Sequence, residues 1–438
     1  MTSSARPLSG SPAGPLAGPP APADGAPGPA VRHSRLVRAS PVYYGWVIVL
    51  AATLALGMTL PGQTAGMALF IDAFIADLGL GRGQVALLYT AATLLAAATL
   101  PIMGRMFDRH GPRRGAIAIV LAFSAACFAM GHVAGPVSLF LGFVAMRALG
   151  QGGLGLVSLH AVTLWFVQRR GVAVGLMGTG LALTTAFGVP LIAQSIAQIG
   201  WRETYVAMAG VLLLGLLPVA ALLFRREPER YGLVPDGRAP DAAVPAERAY
   251  TLAEARRTPI FWLLVGGVAT TSCVGTGLLF HHVALMAEGG LGREVAALLF
   301  IPYGLVTVGA NVGAGALVDR LGPRRVLAVS LGAFAAMVVA VPLVASAAGV
   351  LAYGAAFGVM QGFQNNIAGS GFAYYFGRTH IGSIKGFSKT LLVAASALGP
   401  PLVALGAYAP GGYRAVLWAS AAAVAGLAAL ALRTPEPA

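Results

Sequence analysis

Arg147 stands alone among the basic residues: it lies ten residues inside an otherwise apolar run, with Gln151 four positions on. A guanidinium at membrane depth is costly to leave unpaired. It must fork onto an anionic cargo such as a carboxylate, or bond carbonyls of a neighbouring helix. The residues leave both readings open. A second polar cluster, QGFQNN at 361–366, sets the amides of Gln361, Gln364, Asn365 and Asn366 in another apolar run. Amides there need a water-filled cavity or one another. Gln63 and Thr64 follow Pro61 and Gly62, a pair suited to breaking a helix and freeing its carbonyls. His281 and His282 could titrate near neutral pH from a cavity. Adjacent helical residues diverge by about 100°, so at most one would face it, and a packing seam is the other reading. Tyr303 and Asn311 complete the polar set, while His160 falls on a face largely different from that of Arg147. Asp72, Glu203, Glu288 and Glu294 lie near the ends of their runs, so a central carboxylate relay is not expected. The pattern suits an anion held by Arg and His. A coupled proton would then use His or the cargo's own carboxyl group.

These residues are embedded in a chain of 438 residues that is 57% hydrophobic and only 10% charged. Soluble domains are about a quarter charged. So little polar surface cannot coat a globule, and the bilayer must act as solvent. A helix needs about 20 apolar residues to cross the hydrocarbon. Twelve runs qualify: 44–74, 83–103, 115–133, 137–166, 172–198, 203–223, 260–286, 296–317, 326–346, 348–376, 386–408 and 413–432. Helices are the expected form of each.

The net charge of +14 would suggest nucleic acid in a soluble protein, but here its placement explains it. With the N-terminus inside, nearly all Arg and Lys fall on the cytoplasmic side, as orientation requires. Arg82, Arg202, Arg293 and Arg414 lie outside. No nucleic-acid partner is expected. Cys127 and Cys273 sit within apolar runs without metal-ligand spacing and read as packing thiols.

The expected organisation is a disordered cytoplasmic tail at 1–41, a six-helix bundle at 42–223, a cytoplasmic linker at 224–259, a second six-helix bundle at 260–432 and a cytoplasmic tail at 433–438. The bundles repeat one another. GRMFDRHGPRR at 104–114 nearly recurs as GALVDRLGPRR at 315–325. Gly104, Asp108, Arg109, Gly111, Arg113 and their neighbours fall on Gly315, Asp319, Arg320, Gly322 and Arg324 at a constant offset. GVPLIA at 188–193 falls on GPPLVA at 399–404 at the same offset. Glycine lets helices approach closely. Aspartate near a helix end can accept from a neighbouring helix terminus or from Arg. A latch between helices is the expected role, and charges that only enforce topology are the alternative.

The two stretches resemble the paired loop signatures of the major facilitator superfamily. That resemblance implies an all-α integral membrane fold of twelve transmembrane helices in two pseudo-symmetric six-helix bundles. It also implies a latch that stabilises the outward-facing state, and a cavity lined by helices 1, 4, 7 and 10. YYGWVIVL at 43–50, GWRETY at 200–205, YTLAEARRTPIFWLL at 250–264 and LGPPLVAL at 398–405 are similar to the oxalate/formate antiporter and monocarboxylate transporter branch. That branch implies small carboxylate cargo, with proton coupling or anion exchange. Two departures stand out. Run 296–317 lacks the basic residue that the branch often carries there, and RALGQGG has one residue more before its Gln than the superfamily's usual form. Lys389 lies in the eleventh run, where the resemblance implies that some relatives keep a lysine, but only three residues past Gly386, which is expected to put it near the cytoplasmic end.

No phosphate loop, metal cluster or nucleophile–base pair is visible, so neither an enzyme nor an ATP-driven pump is expected. The expectation is a cofactor-free secondary transporter of a small organic anion, a mono- or dicarboxylate, in a plasma membrane, with a bacterial inner membrane fitting the composition. The expected partners are that anion, a co-transported proton or exchanged anion, and the lipid bilayer, with a monomer as the unit. Efflux of an uncharged drug-like compound and a non-transporting receptor are the alternatives.

Overall fold

The computed structural model describes residues 34–237, 249–292, 295–296 and 298–436. The tail through residue 33, linker residues 238–248, Arg293, Glu294, Ala297 and the last two residues lie outside them.

Twelve helical spans follow one another. In the first half they are α1 (Tyr44–Gly57, then Thr64–Ala68 and Ile71–Leu78), α2 (Arg82–His110), α3 (Pro112–Met130), α4 (Pro136–Trp165), α5 (Arg170–Ile199) and α6 (Trp201–Leu223). In the second they are α7 (Pro259–Phe280, then His282–Glu288), α8 (Phe300–Leu321), α9 (Pro323–Ala340), α10 (Ala347–Asn366, continuing to Phe376), α11 (Ile381–Ala404) and α12 (Gly412–Arg433). Ten helices among the described residues are long and apolar enough to cross a membrane. The other two spans are α1, which Pro61 and Gly62 break as a short 3-10 turn, and α10, which carries the four amides. Large apolar side chains such as Val137 and Leu214 stand exposed, as a bilayer-facing surface requires.

Hydropathy and helix limits differ in an informative way. α2 runs on to His110, beyond the apolar run that ends at 103, and α11 begins at Ile381, before the run that starts at 386. Both extensions contain charged residues whose backbone is satisfied within the helix. The charge ends the apolar signal but not the helix.

Each half has its own apolar core. Phe70, Phe74, Phe143 and Tyr205 anchor the first; Phe261, Phe372 and Phe376 anchor the second. The halves meet along two seams, α2 against α11 and α5 against α8. At the first, Gly104 and Gly382 touch backbone to backbone, with no room for a Cβ on either; Gly315 and Gly171 do the same at the second. We call this end of the molecule the latch end. Gly111 (φ +81°) and Gly322 (φ +79°) turn the chain from α2 into α3 and from α8 into α9, in a backbone region that side chains disfavour.

The linker folds back over the latch end of the first half. Tyr231 stacks on Trp165, and Tyr43 packs on Gly237. Burial and the nearby carboxylates of Asp236 and Glu229 push the Tyr43 phenol well above its ordinary range. Asp236, itself at φ +62°, accepts from the backbone N–H groups of Val167 (3.2 Å), Gln168 (2.9 Å) and Arg169 (3.0 Å), just ahead of α5.

Candidate functional site

Two aspartates join the halves at the latch end. Asp108 of α2 accepts from the backbone N–H groups of Gly382 (2.7 Å) and Ser383 (2.8 Å) in the first turn of α11. Asp319 of α8 accepts from Gly171 (2.7 Å) and Val172 (3.0 Å) in the first turn of α5. Each carboxylate thus sits on the free N–H groups and positive dipole end of a helix in the opposite half. The glycine contacts bring the helices close enough for this.

The remaining signature residues act within their own halves. The Arg113 guanidinium donates to the Ala221 carbonyl at the end of α6 (2.8 Å), and that of Arg324 donates to the Thr434 carbonyl just past α12 (2.5 Å). Each staples the start of its half's third helix to the end of its sixth. Arg109 is exposed and lends only its carbonyl, to Arg226 (3.0 Å). Arg320 is exposed.

Between the halves, above the latch, lies a cavity of about 200 Å³. Leu156 and Leu159 of α4, Met177 of α5, Val268 of α7 and Phe372 of α10 give it apolar walls. Its polar lining comes from Asn365 of α10 and from Lys385, Ser388 and Lys389 of α11. No carboxylate is among the described residues that line it. Lys389 donates to the Gln151 carbonyl of α4 at 2.7 Å, across the seam. Lys385 is 2% exposed, and its amine has no hydrogen-bond partner among the described residues.

Both lysines escaped the sequence reading of the site. Starting α11 at 386 left Lys385 outside the span and Lys389 at its rim. Because α11 begins at Ile381, each points inward from an ordinary helical turn. The signal was present as their four-residue spacing, which puts both on one face.

Arg147 turns into its own half. Its guanidinium donates to the Gly62 carbonyl (3.1 Å), Thr64 Oγ1 (3.3 Å) and Thr93 Oγ1 (3.2 Å), and it lies over the Tyr89 ring at 5.1 Å. The broken α1 supplies the carbonyl. The bond to the Gly62 carbonyl is the kind of contact that the carbonyl-bonded reading of Arg147 expects. Arg147, Gln151 and Lys389 share only a crevice of about 10 Å³ beside the main cavity. Residues 147–154 form a π-helical turn, which accommodates the extra residue of RALGQGG.

The other polar candidates are placed as follows. Gln63 donates to Thr59 Oγ1 within α1 (2.9 Å), and Thr64 also accepts from the Tyr89 hydroxyl (2.9 Å). Gln361 donates to Asn365 (2.9 Å), Asn365 to the Asn311 side chain (3.2 Å), and Asn366 to the Asn311 carbonyl (2.6 Å). Gln364 donates to the Val268 carbonyl of α7 (3.2 Å). The amides of α10 therefore bind α7, α8 and one another, and Asn365 alone of the four lines the main cavity. Tyr303 packs on Phe357. The histidines both leave the cavity: His281, at the break in α7, pairs with the Pro400 carbonyl (3.0 Å), while buried His282 pairs with the Ala296 carbonyl (2.8 Å).

A second cavity, about 370 Å³, opens below the latch. Asp108, His160, Arg226, Glu229 and Arg378 are among its lining. His160 Nδ1 lies 3.8 Å from the Asp108 carboxylate. Arg378 crosses between the halves, donating to the Leu164 carbonyl (2.7 Å) and pairing with Glu229.

Comparison with known proteins agrees with this architecture. A relative from Thermoproteus tenax, the uncharacterized 38 kDa protein in the 23S RNA operon, is 30% identical over 81% of this chain and 87% of its own. The oxalate:formate antiporter of Oxalobacter formigenes is 24% identical over 69% of this chain and 70% of its own. The crystal structure of the transporter FucP in the outward conformation superposes with a TM-score of 0.68 at 14% identity, covering 90% of this chain and all of that one. The family model described as Major Facilitator Superfamily matches residues 46–372 and 282–438. With its duplicated bundles, paired signatures and inter-half cavity, the chain belongs to the Major Facilitator Superfamily of membrane transporters.

Proposed function

We propose that this transporter carries a small organic anion, a mono- or dicarboxylate, across the plasma membrane by secondary active transport with alternating access. The observation that carries the reading is the central cavity, which has two lysines and, among the described residues, no carboxylate in its lining. A cation there is costly unless a counter-ion visits it. The relative named an oxalate:formate antiporter supports the same class.

In this reading Lys389 is the anion anchor, while Arg147 holds the broken α1 in shape. The distribution of Arg and Lys supports a cytoplasmic latch end and cytoplasmic termini. The conformation is then outward-facing, with the latch shut. Residues 42–223 and 260–432 rock as two units about the cavity, joined by the linker at 224–259. A monomer in a lipid bilayer suffices, and either a proton or an exchanged anion balances the charge moved. The composition suits a bacterial inner membrane.

The test is uptake of labelled formate, lactate, pyruvate, oxalate and a branched 2-oxo acid into proteoliposomes, wild type beside Lys389→Met. Accumulation by wild type that the folded variant loses supports the reading. A panel on which nothing moves overturns it. The apolar walls favour a second reading, efflux of an uncharged compound, which that negative result would promote.

A further inference from the structure

The Lys385 amine makes neither of the aspartate contacts of the latch and has no hydrogen-bond partner among the described residues. It follows the capped first turn of α11, where Asp108 has both oxygens engaged by Gly382 and Ser383. Its side chain lines the central cavity, and its amine is buried without a hydrogen-bond partner among the described residues. Lys389 stands four residues on, lining the same cavity. Four residues advance a helix by about 6 Å and return to the same face.

Charge balance decides what such a pair selects. One carboxylate would engage one amine and leave the other without a partner in an apolar enclosure. A buried polar group left unpaired is costly, and one left charged more so. A dianion meets both amines at once. Lys389 already has the Gln151 carbonyl as a resting partner (2.7 Å), which the cargo would replace. Lys385 has none to give up.

We propose that Lys385 is a second anion subsite and that the preferred cargo is a dicarboxylate, with one carboxylate on Lys389 and the other on Lys385. This rests on the carboxylate reading above and narrows it. Ser388 lies between the two in sequence and lines the cavity with them, so α11 contributes three polar side chains to that wall.

The experiment is competition in wild-type proteoliposomes. A labelled monocarboxylate that the protein moves is challenged at pH 7.5 with unlabelled acids of equal carbon number, malonate against propionate and succinate against butyrate. At least one dicarboxylate should compete at a concentration tenfold or more below its monocarboxylate counterpart. The same ratio in Lys385→Met should fall at least tenfold, and Lys385→Arg should restore most of it. Equal competition by the two classes in wild type overturns the proposal, even if the methionine variant fails to fold. So does a preference that survives Lys385→Met. Wild type that moves no carboxylate of either class fails the underlying reading instead, which keeps the two failures distinct.

Discussion

Lys389 of α11 donates its amine to the Gln151 carbonyl of α4, at 2.7 Å, and so joins the two halves beside the central cavity. The carbonyl is a weaker partner than a carboxylate, because an ammonium is attracted less by a neutral dipole than by a full negative charge. An arriving anion would therefore take Lys389 from Gln151 and loosen a contact between the halves. Lys389→Met should lower the initial rate of carboxylate uptake at least a hundredfold. Lys389→Arg should retain part of it. Rates equal to wild type in the methionine variant would exclude Lys389 as the anchor.

Arg147 should behave differently. Its three donations hold the broken part of α1 against α2 and α4. Arg147→Gln leaves the Gly62 carbonyl without its cation, a loss of about 1–3 kcal/mol for a buried unsatisfied group. The melting temperature should fall by several degrees, and the fraction of transport lost should match the fraction of protein unfolded. A stable Arg147→Gln variant with a raised KM would instead assign Arg147 to the cargo.

The latch can be weakened without touching the cavity. Asp108→Asn removes the charge that Gly382 and Ser383 share and should cost about 1 kcal/mol of closure. Gly104→Val forces the α2 and α11 backbones apart. In both, a cysteine introduced at Thr379, in the lining of the lower cavity, should react faster with a membrane-permeant thiol reagent than it does in wild type. Unchanged labelling would mean that the seam does not govern access from that end.

The amide ladder of α10 is a packing device with one member facing the cavity. Asn366 donates to the Asn311 carbonyl at 2.6 Å, deep between α8 and α10. Asn366→Val should lower stability by about 1 kcal/mol, within the usual range for a membrane hydrogen bond. The KM for transported acid should stay within twofold of wild type. A tenfold rise would put the ladder in the binding site.

The fold was largely legible because its evidence is repeated. Apolar runs of fixed length and two copies of the Gly–Asp–Arg signature leave little freedom in arranging twelve helices. The positions of the latch residues were legible for the same reason. The cavity was not. Lys385 looked like a loop cation and Lys389 like a residue at the rim of its helix, because charge depresses hydropathy wherever it occurs, and a helix entered through a charged turn is indistinguishable from a loop by that measure. Arg147 drew attention as an isolated charge, yet its partner is the carbonyl of Gly62, and only packing brings the two together. His282 has a like explanation: the break in α7 after Phe280 turns it toward the Ala296 carbonyl, which no helical periodicity anticipates.

Asp236 makes the duplicated seams unequal. The start of α5 has two carboxylates, Asp319 from the opposite half and Asp236 from a linker packed on its own half. At the start of α11, Asp108 serves Gly382 and Ser383 from across the seam. When the halves separate, α5 keeps one of its anions and α11 gives up Asp108. Parting is therefore the cheaper event at α5 and the dearer one at α11. In the alternating-access reading proposed above, two halves of matching signatures would thus work as a door does, with a hinge on one side and a clasp on the other.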